Sequence, residues 1–315
     1  VTRNKIILDC DPGHDDAMAI LLAHGSPEIE LLAITTVAGN QTLPKTTLNA
    51  QRICTAAGVR DVPIAAGCDR PLVRELVTAP DIHGVSGLEG PAFSEPTVPV
   101  SPVHAVDLIV ERVMASDGDI TLVPVGPLTN IAMAVRKEPR IVGRVREVVL
   151  MGGAYTRGNR TPAAEFNILV DPEAAAIVFE AGWRVTMVPL DLTHQAIATE
   201  HVLQRIAALG TPLAGIAVDL LSFFGGTYRE VAGFTEGPPV HDPCAVARVI
   251  DPGVVHVEEA FVAVETQGRW TAGMTVTDFR GRMGLQPNAL VATRLEFERF
   301  WDLMIDAIRR IGVPG

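Results

Sequence analysis

Lys5-Ile6-Ile7-Leu8-Asp9-Cys10-Asp11-Pro12-Gly13-His14-Asp15-Asp16-Ala17-Met18-Ala19-Ile20-Leu21-Leu22 holds two elements and the junction between them. The apolar run before Asp9 reads as a buried strand, and the run after Asp16 reads as the helix that follows. Between them, four carboxylates fall within eight residues. Carboxylates crowded at one junction repel one another unless something positive binds between them. A hard divalent cation with oxygen ligands, Ca²⁺ or Mg²⁺, meets that need. Pro12-Gly13 supplies the turn that folds Asp11 back toward Asp15 and Asp16. Asp15 and Asp16 are neighbours at a helix start, about 100° apart around the axis. One can face a metal while the other faces a substrate. Helix capping and first-turn charge would account for one or two of these residues, but not for four around a Pro-Gly turn.

Outward from this junction, strand-like and helical patterns alternate. Strands are expected at Ile29 to Val37, Val62 to Ala66, Ile120 to Val125, Val145 to Met151 and Arg184 to Leu190. Helices are expected at Leu43 to Ala57, His104 to Ala115, Leu128 to Arg136 and Asp171 to Ala181. This is the signature of an α/β fold with an open, doubly wound, mostly parallel sheet and flanking helices. From Val255 to Thr277 the pattern turns extended, predicting a small C-terminal antiparallel extension, and Leu295 to Ile311 closes the chain as an amphipathic helix. No repeat or low-complexity linker interrupts the sequence, so a single domain over residues 1–315 is expected. Two segments rich in Gly and Pro, Thr78 to Pro102 and Phe223 to Val240, read as irregular loops of the length that serves as lids.

Hydrophobic residues make up 48% and charged residues 20% of the chain, enough for a large core. A net charge of −11 disfavours nucleic acid as a partner, and 5% aromatic residues offer little for base stacking along a strand. Cys10, Cys54, Cys68 and Cys244 are scattered, with no CxxC pair, and suit buried thiols in a reducing compartment. No apolar run reaches membrane-spanning length, and Ile6-Ile7-Leu8 is too short for a signal-peptide core. A cytoplasmic protein without membrane contact is the expectation.

In open α/β sheets, ligands bind outside the carboxyl ends of the strands. The residues just beyond those ends are the Asp cluster, Asn40, Val125 with Gly126-Pro127-Leu128-Thr129-Asn130, and Met151 with Gly152-Gly153. Asn159, Glu165-Phe166-Asn167 and His241-Asp242-Pro243 come later. Asp242 can add a metal oxygen, and His241 can move a proton near neutral pH. Asp and Asn offer what the hydroxyls of a sugar require. There is no Walker loop, no Rossmann glycine fingerprint and no Gly-x-Ser-x-Gly elbow.

Five motifs in this order resemble the inosine-uridine nucleoside hydrolase family. They are Asp9-x-Asp11-Pro-Gly-x-Asp15-Asp16, Thr35-Thr36-Val37-x-Gly39-Asn40, Met151-Gly-Gly, Glu165-Phe-Asn167 with Asp171-Pro-Glu173-Ala174, and His241-Asp242-Pro243. The resemblance implies a Ca²⁺-dependent N-ribohydrolase, a ribonucleoside substrate and a homodimer or homotetramer. It implies Asp11, Asp16, Asp242 and the carbonyl of Val125 as metal ligands, with Asp11 also the general base that activates the attacking water. It implies Asp15, Asn40, Met151, Asn159, Glu165 and Asn167 around the ribose, His241 at the departing base, and His83 and Tyr228 in the loops that approach the base. Two alternatives stand beside it. One is a magnesium-dependent phosphohydrolase, since Asp9-x-Asp11 also fits an aspartyl nucleophile after a first strand. The other is a nucleoside-binding relative without turnover.

Overall fold

Ile6, Ile7 and Leu8 have no exposed surface, because the strand that carries them is covered on both faces and paired on both edges. This strand, β1 (Asn4–Cys10), lies inside a sheet completed by β2 (Ile29–Thr36), β3 (Ile64–Ala66), β4 (Ile120–Pro124), β5 (Val145–Met151), β6 (Val185–Val188), β7 (Val255–Val264), β8 (Thr275–Asp278) and β9 (Ala289–Leu295). The computed structural model describes residues 3–312 of the chain. The nine strands run in the order β3-β2-β1-β4-β5-β6-β9-β7-β8. Pairing is parallel from β3 through β9, and antiparallel between β9 and β7 and between β7 and β8. The antiparallel end is the extension that the pattern from Val255 predicts.

Side chains alternate across the strands. Ile6, Leu8 and Cys10 face one core, shared with the helices His14–Gly25, Pro243–Ile250 and Phe297–Gly312. Ile7 faces the other, shared with Ala105–Ala115, Thr129–Lys137 and Pro172–Glu180. The closing helix buries Phe300, Trp301, Met304, Ile305 and Ile308 along one stripe. Each such large apolar side chain contributes roughly 1.5–3 kcal/mol when fully buried.

The order of strands places a topological switch between β1 and β4. The chain runs from β1 outward through β2 and β3, then returns to β4 on the other side of β1. The crevice outside the carboxyl ends of these two strands is where a ligand fits.

One segment departs from the reading of the sequence. Phe223 to Ala232 is not a loop but the last half of a helix, Pro212–Ala232. The pair Gly225-Gly226 weakens helix propensity by about 1 kcal/mol per residue, yet Leu220, Leu221, Phe224 and Tyr228 bury one face and hold the helix. A Cβ on Gly225 would stand 3.2 Å from the Pro238 ring, so the bare glycine lets the returning chain pack closely. Gly233, at φ 75°, ends the helix in the left-handed conformation that glycine adopts freely. The segment 78–102 remains irregular apart from the short helix Pro80–His83.

Candidate active site

Pro12 and Gly13 turn the chain between β1 and the helix His14–Gly25. Asp16, in the first turn of that helix, reaches back over the turn. Its Oδ1 accepts from the Asp11 amide and its Oδ2 from the Gly13 amide, both at 2.9 Å. Asn40, just beyond β2, ties the two acids together. Its amide donates to Asp11 Oδ2 at 2.6 Å and its side-chain nitrogen to Asp16 Oδ2 at 3.1 Å. Asp11 Oδ1 is buried without a hydrogen-bond partner. Two glycines press on the same carboxylate. A Cβ on Gly39 would lie 2.1 Å from Asp11 Oδ2, and one on Gly126 would lie 2.4 Å from Oδ1.

Asp242, at the start of the helix Pro243–Ile250, completes the cluster. Carboxylate oxygens of Asp15, Asp16 and Asp242 lie within 4.8 Å of one another. The tightest trio thus contains Asp15, which the resemblance assigns to the sugar, while Asp11 contacts the trio through Asp16. Burial, before all else, pushes the Asp11 and Asp242 carboxyls well above the usual range, and mutual repulsion adds to it. Asp15 is lifted to about 8 by burial and then by Asp16, and Asp16 is raised by burial against four hydrogen bonds that oppose it. Four buried acids, an unpartnered oxygen and no Cys or His among the donors make a set that fits a hard divalent cation.

Asp9 lies elsewhere. It faces into the protein, where Oδ1 accepts from Thr35 Oγ1 at 2.6 Å and Asn130 Nδ2 at 2.8 Å. The junction therefore offers three acids, not four, and the fourth of the group comes from position 242.

Next to the acids, a cavity of about 360 Å³ opens. Asp15, Asn40, Val125, Asp242, Met151 and Asn167 line it, as do Asn159, Glu165, His83, Tyr228 and His241. Asp11 and Asp16 are fully buried beside Asp15 and Asp242. All candidates read from the sequence therefore converge, although they are scattered along the chain. Glu165 caps the helix Phe166–Val170, accepting from the amides of Gly153, Asn167 and Ile168. Burial raises it to about 7 against those bonds. Asn167 Nδ2 donates to the carbonyls of Val125 at 2.8 Å and Met151 at 3.2 Å, which links the ends of β4 and β5. Asn159 Oδ1 accepts from the Phe166 amide at 3.0 Å, leaving its amide nitrogen for a ligand.

The other end of the cavity is aromatic. Tyr228 Oη lies 2.7 Å from His241 Nε2, and Thr193 Oγ1 lies 2.7 Å from His241 Nδ1. His83 stacks on Phe224 and meets His14, with 3.1 Å between their Nδ1 atoms. Burial holds both His83 and His241 well below the usual histidine range, and therefore neutral.

A family model described as inosine-uridine preferring nucleoside hydrolase matches residues 6–302. The chain belongs to the inosine-uridine preferring nucleoside hydrolase family. It is 56% identical over 312 residues to the inosine-uridine preferring nucleoside hydrolase of Crithidia fasciculata, covering 98% of this chain and 99% of that one. It is 46% identical to a pyrimidine-specific ribonucleoside hydrolase of Shewanella sp. (strain ANA-3), over 96% of this chain and 95% of the relative. Its fold matches that of a purine-preferring ribonucleoside hydrolase from Gardnerella vaginalis with a TM-score of 0.92 at 32% identity, covering 98% and 99% of the two chains. The protein is thus a nucleoside hydrolase, an enzyme acting on the N-glycosyl bond of ribonucleosides, and the phosphohydrolase alternative falls. Among the described residues, no helix is long and apolar enough to cross a membrane.

Thr193, His194, Arg157 and Phe234 of this nucleoside hydrolase site are absent from the candidates read in the sequence. Thr193 and His194 come soon after β6, so the rule applied to the other strands would have found them. Phe234 lies just past a helix end that the sequence concealed.

Proposed function

We propose that the enzyme is a Ca²⁺-dependent N-ribohydrolase that converts purine and pyrimidine ribonucleosides to ribose and free base. One observation carries this reading: a single cavity joins the acidic pocket to an aromatic end, matching the two halves of a nucleoside. Asp11, Asp16, Asp242 and the Val125 carbonyl are read as the cation's ligands, with Asp15 close enough to join them. When bound, Ca²⁺ would orient the attacking water and lower its pKa.

Asp11 takes the proton of that water as its oxygen bonds to C1′ and the C1′–N bond breaks. The sugar then gains oxocarbenium character, as in glycoside hydrolysis. Asp15, Glu165, Asn40, Asn159 and Asn167, with Met151 beside them, hold the ribose hydroxyls and surround that charge with oxygen. The departing base receives a proton through the Tyr228–His241 contact, the pair losing one proton and regaining it from solvent. His83 borders the base. A cavity of this volume falls at the small-molecule end of binding sites.

The products fit a salvage or catabolic step in the cytoplasm. Val276, Met283 and Leu285, exposed on and beside the edge strand β8, support a homodimer or homotetramer. Ribose release from inosine, uridine, adenosine and cytidine tests the activity. Exhaustive chelation should abolish it and Ca²⁺ restore it; undiminished turnover with no metal bound would refute the cation's part.

A further inference from the structure

Arg157 and Arg160 stand on the loop between β5 and the helix Phe166–Val170, and both line the cavity. Their surroundings differ. Arg160 Nη1 pairs with Asp81 Oδ2 at 2.8 Å, Nη2 donates to the Thr78 carbonyl at 3.4 Å, and the guanidinium lies over the Phe166 ring. Among the described residues, Arg157 has no hydrogen-bond or ion-pair partner. The loop that carries it is tied to the aromatic end: the Tyr155 amide donates to Asp191 Oδ2 at 2.8 Å, and Asp191 lies in the helix Leu190–Thr193, whose Thr193 contacts His241. His194, half-buried and lining the same space, is held below the usual histidine range by burial; the Asp191 carboxylate opposes that lowering and Arg157 adds a smaller push in its favour. The His194 ring, next along the chain from that helix, lies 5.7 Å from that of His241, so the exposed Arg157 stands on a loop anchored beside the aromatic end.

Apart from the Tyr228–His241 pair that serves the departing base and the rings of His83 and His194, that end offers, among the described residues, no other polar side chain besides Arg157 to the edge of a heterocycle. Phe224 and Phe234 are apolar. Tyr228 and His241 are hydrogen-bonded to each other. A base held there meets aromatic faces for stacking and, from Arg157, a permanently charged fork of donors not already engaged as that of Arg160 is. When C1′–N breaks, the electron pair goes to the base. In uracil that charge spreads onto O4 and in hypoxanthine onto O6, an oxygen that accepts from a guanidinium more strongly as it grows more negative. Cytosine and adenine carry an amine at the corresponding carbon, and its N–H groups oppose those of arginine.

We propose that Arg157 is a specificity-determining residue that favours bases with an oxygen at pyrimidine C4 or purine C6 over those with an amine at that carbon. The inference rests on the ribohydrolase reading above. A charge-assisted hydrogen bond of this kind corresponds to about 10–100-fold in kcat/KM.

The test compares two pairs of near-isosteric substrates, uridine with cytidine and inosine with adenosine, in the full-length parent, Arg157→Met and Arg157→Lys. Arg157→Met should lower kcat/KM for uridine and inosine about 10–100-fold and move cytidine and adenosine by less than about threefold. Arg157→Lys keeps the charge but loses the fork, so it should fall between. An equal loss on all four substrates, or an oxo-to-amino ratio unchanged in both variants, overturns the inference while leaving the proposed activity standing. A parent that releases ribose from none of the four overturns both.

Discussion

Breaking the Thr193–His241–Tyr228 chain at either of two points should cost the same, and breaking it at both should cost no more. His241 has both ring nitrogens engaged at 2.7 Å, one by Thr193 and one by Tyr228. It therefore reaches the base only in company with the Tyr228 phenol. Proton donation contributes about 10²–10⁴-fold to such reactions. Taking the lower figure, Tyr228→Phe and His241→Ala should each reduce kcat on inosine about 10²-fold, or about 2.7 kcal/mol at 1.36 kcal/mol per tenfold. Independent groups would multiply to about 10⁴ in the double variant. Two members of one chain should instead give about 10² again, a coupling of about 2.7 kcal/mol. The assay is steady-state release of base and ribose from the four proteins, with calcium content measured in each. p-Nitrophenyl riboside is the control, because its phenolate leaves without a proton and all four proteins should cleave it comparably. Multiplicative losses in the double variant, or equal losses on inosine and p-nitrophenyl riboside, would refute the shared chain.

Two other outcomes arise from buried charge. In chelated protein, Asp15 at about 8 and Asp9 and Glu165 at about 7 hold protons that the unfolded chain has already released. Above the usual histidine range, the lowered His14, His83 and His241 are neutral whether folded or not. From about pH 7.5 to 8.5 the folded state thus binds more protons than the unfolded state, so the stability of chelated protein should fall with rising pH. Thermal melts should record that decline and its reduction by Ca²⁺; a flat or rising chelated profile would contradict it. Asn130→Ala removes the bond to Asp9 Oδ1, the bond to the Thr36 carbonyl and the acceptor of the Cys68 amide. It should cost about 2–3 kcal/mol in urea unfolding, and a change below about 0.5 kcal/mol would show that this buried network relaxes freely.

Much of this is legible in the sequence because the strands of a parallel sheet are apolar runs and their carboxyl ends are polar. That contrast brings Asp11, Asn40, Val125 and Met151 together; Asn167 and Asp242, which follow no strand end directly, are placed with them by the motifs shared with the family. The orientation of Asp9 is not legible. Ile6, Ile7 and Leu8 are buried on both faces, so no alternation marks which way the next residue points. The helix Pro212–Ala232 is hidden by local chemistry, since Gly225-Gly226 and Pro238-Pro239 signal a loop while burial of Phe224 and Tyr228 decides for helix. The role of Asp15 stays divided for a related reason: adjacency at a helix start fixes the angle between Asp15 and Asp16, not the depth each reaches.

The trio Asp15, Asp16 and Asp242 joins two residues near the start of the chain to one more than two hundred residues later. A nascent polypeptide on the ribosome holds its first two acids long before the third has been synthesised. Until the last strands and helices take their places, the early acids lack their third member, and a passing cation finds only part of its binding site. Under the proposed cation binding, retention of the ion would report completed folding: a truncated or half-assembled chain would bind it poorly and gain little protection from it, whereas the finished molecule would be stabilised by it.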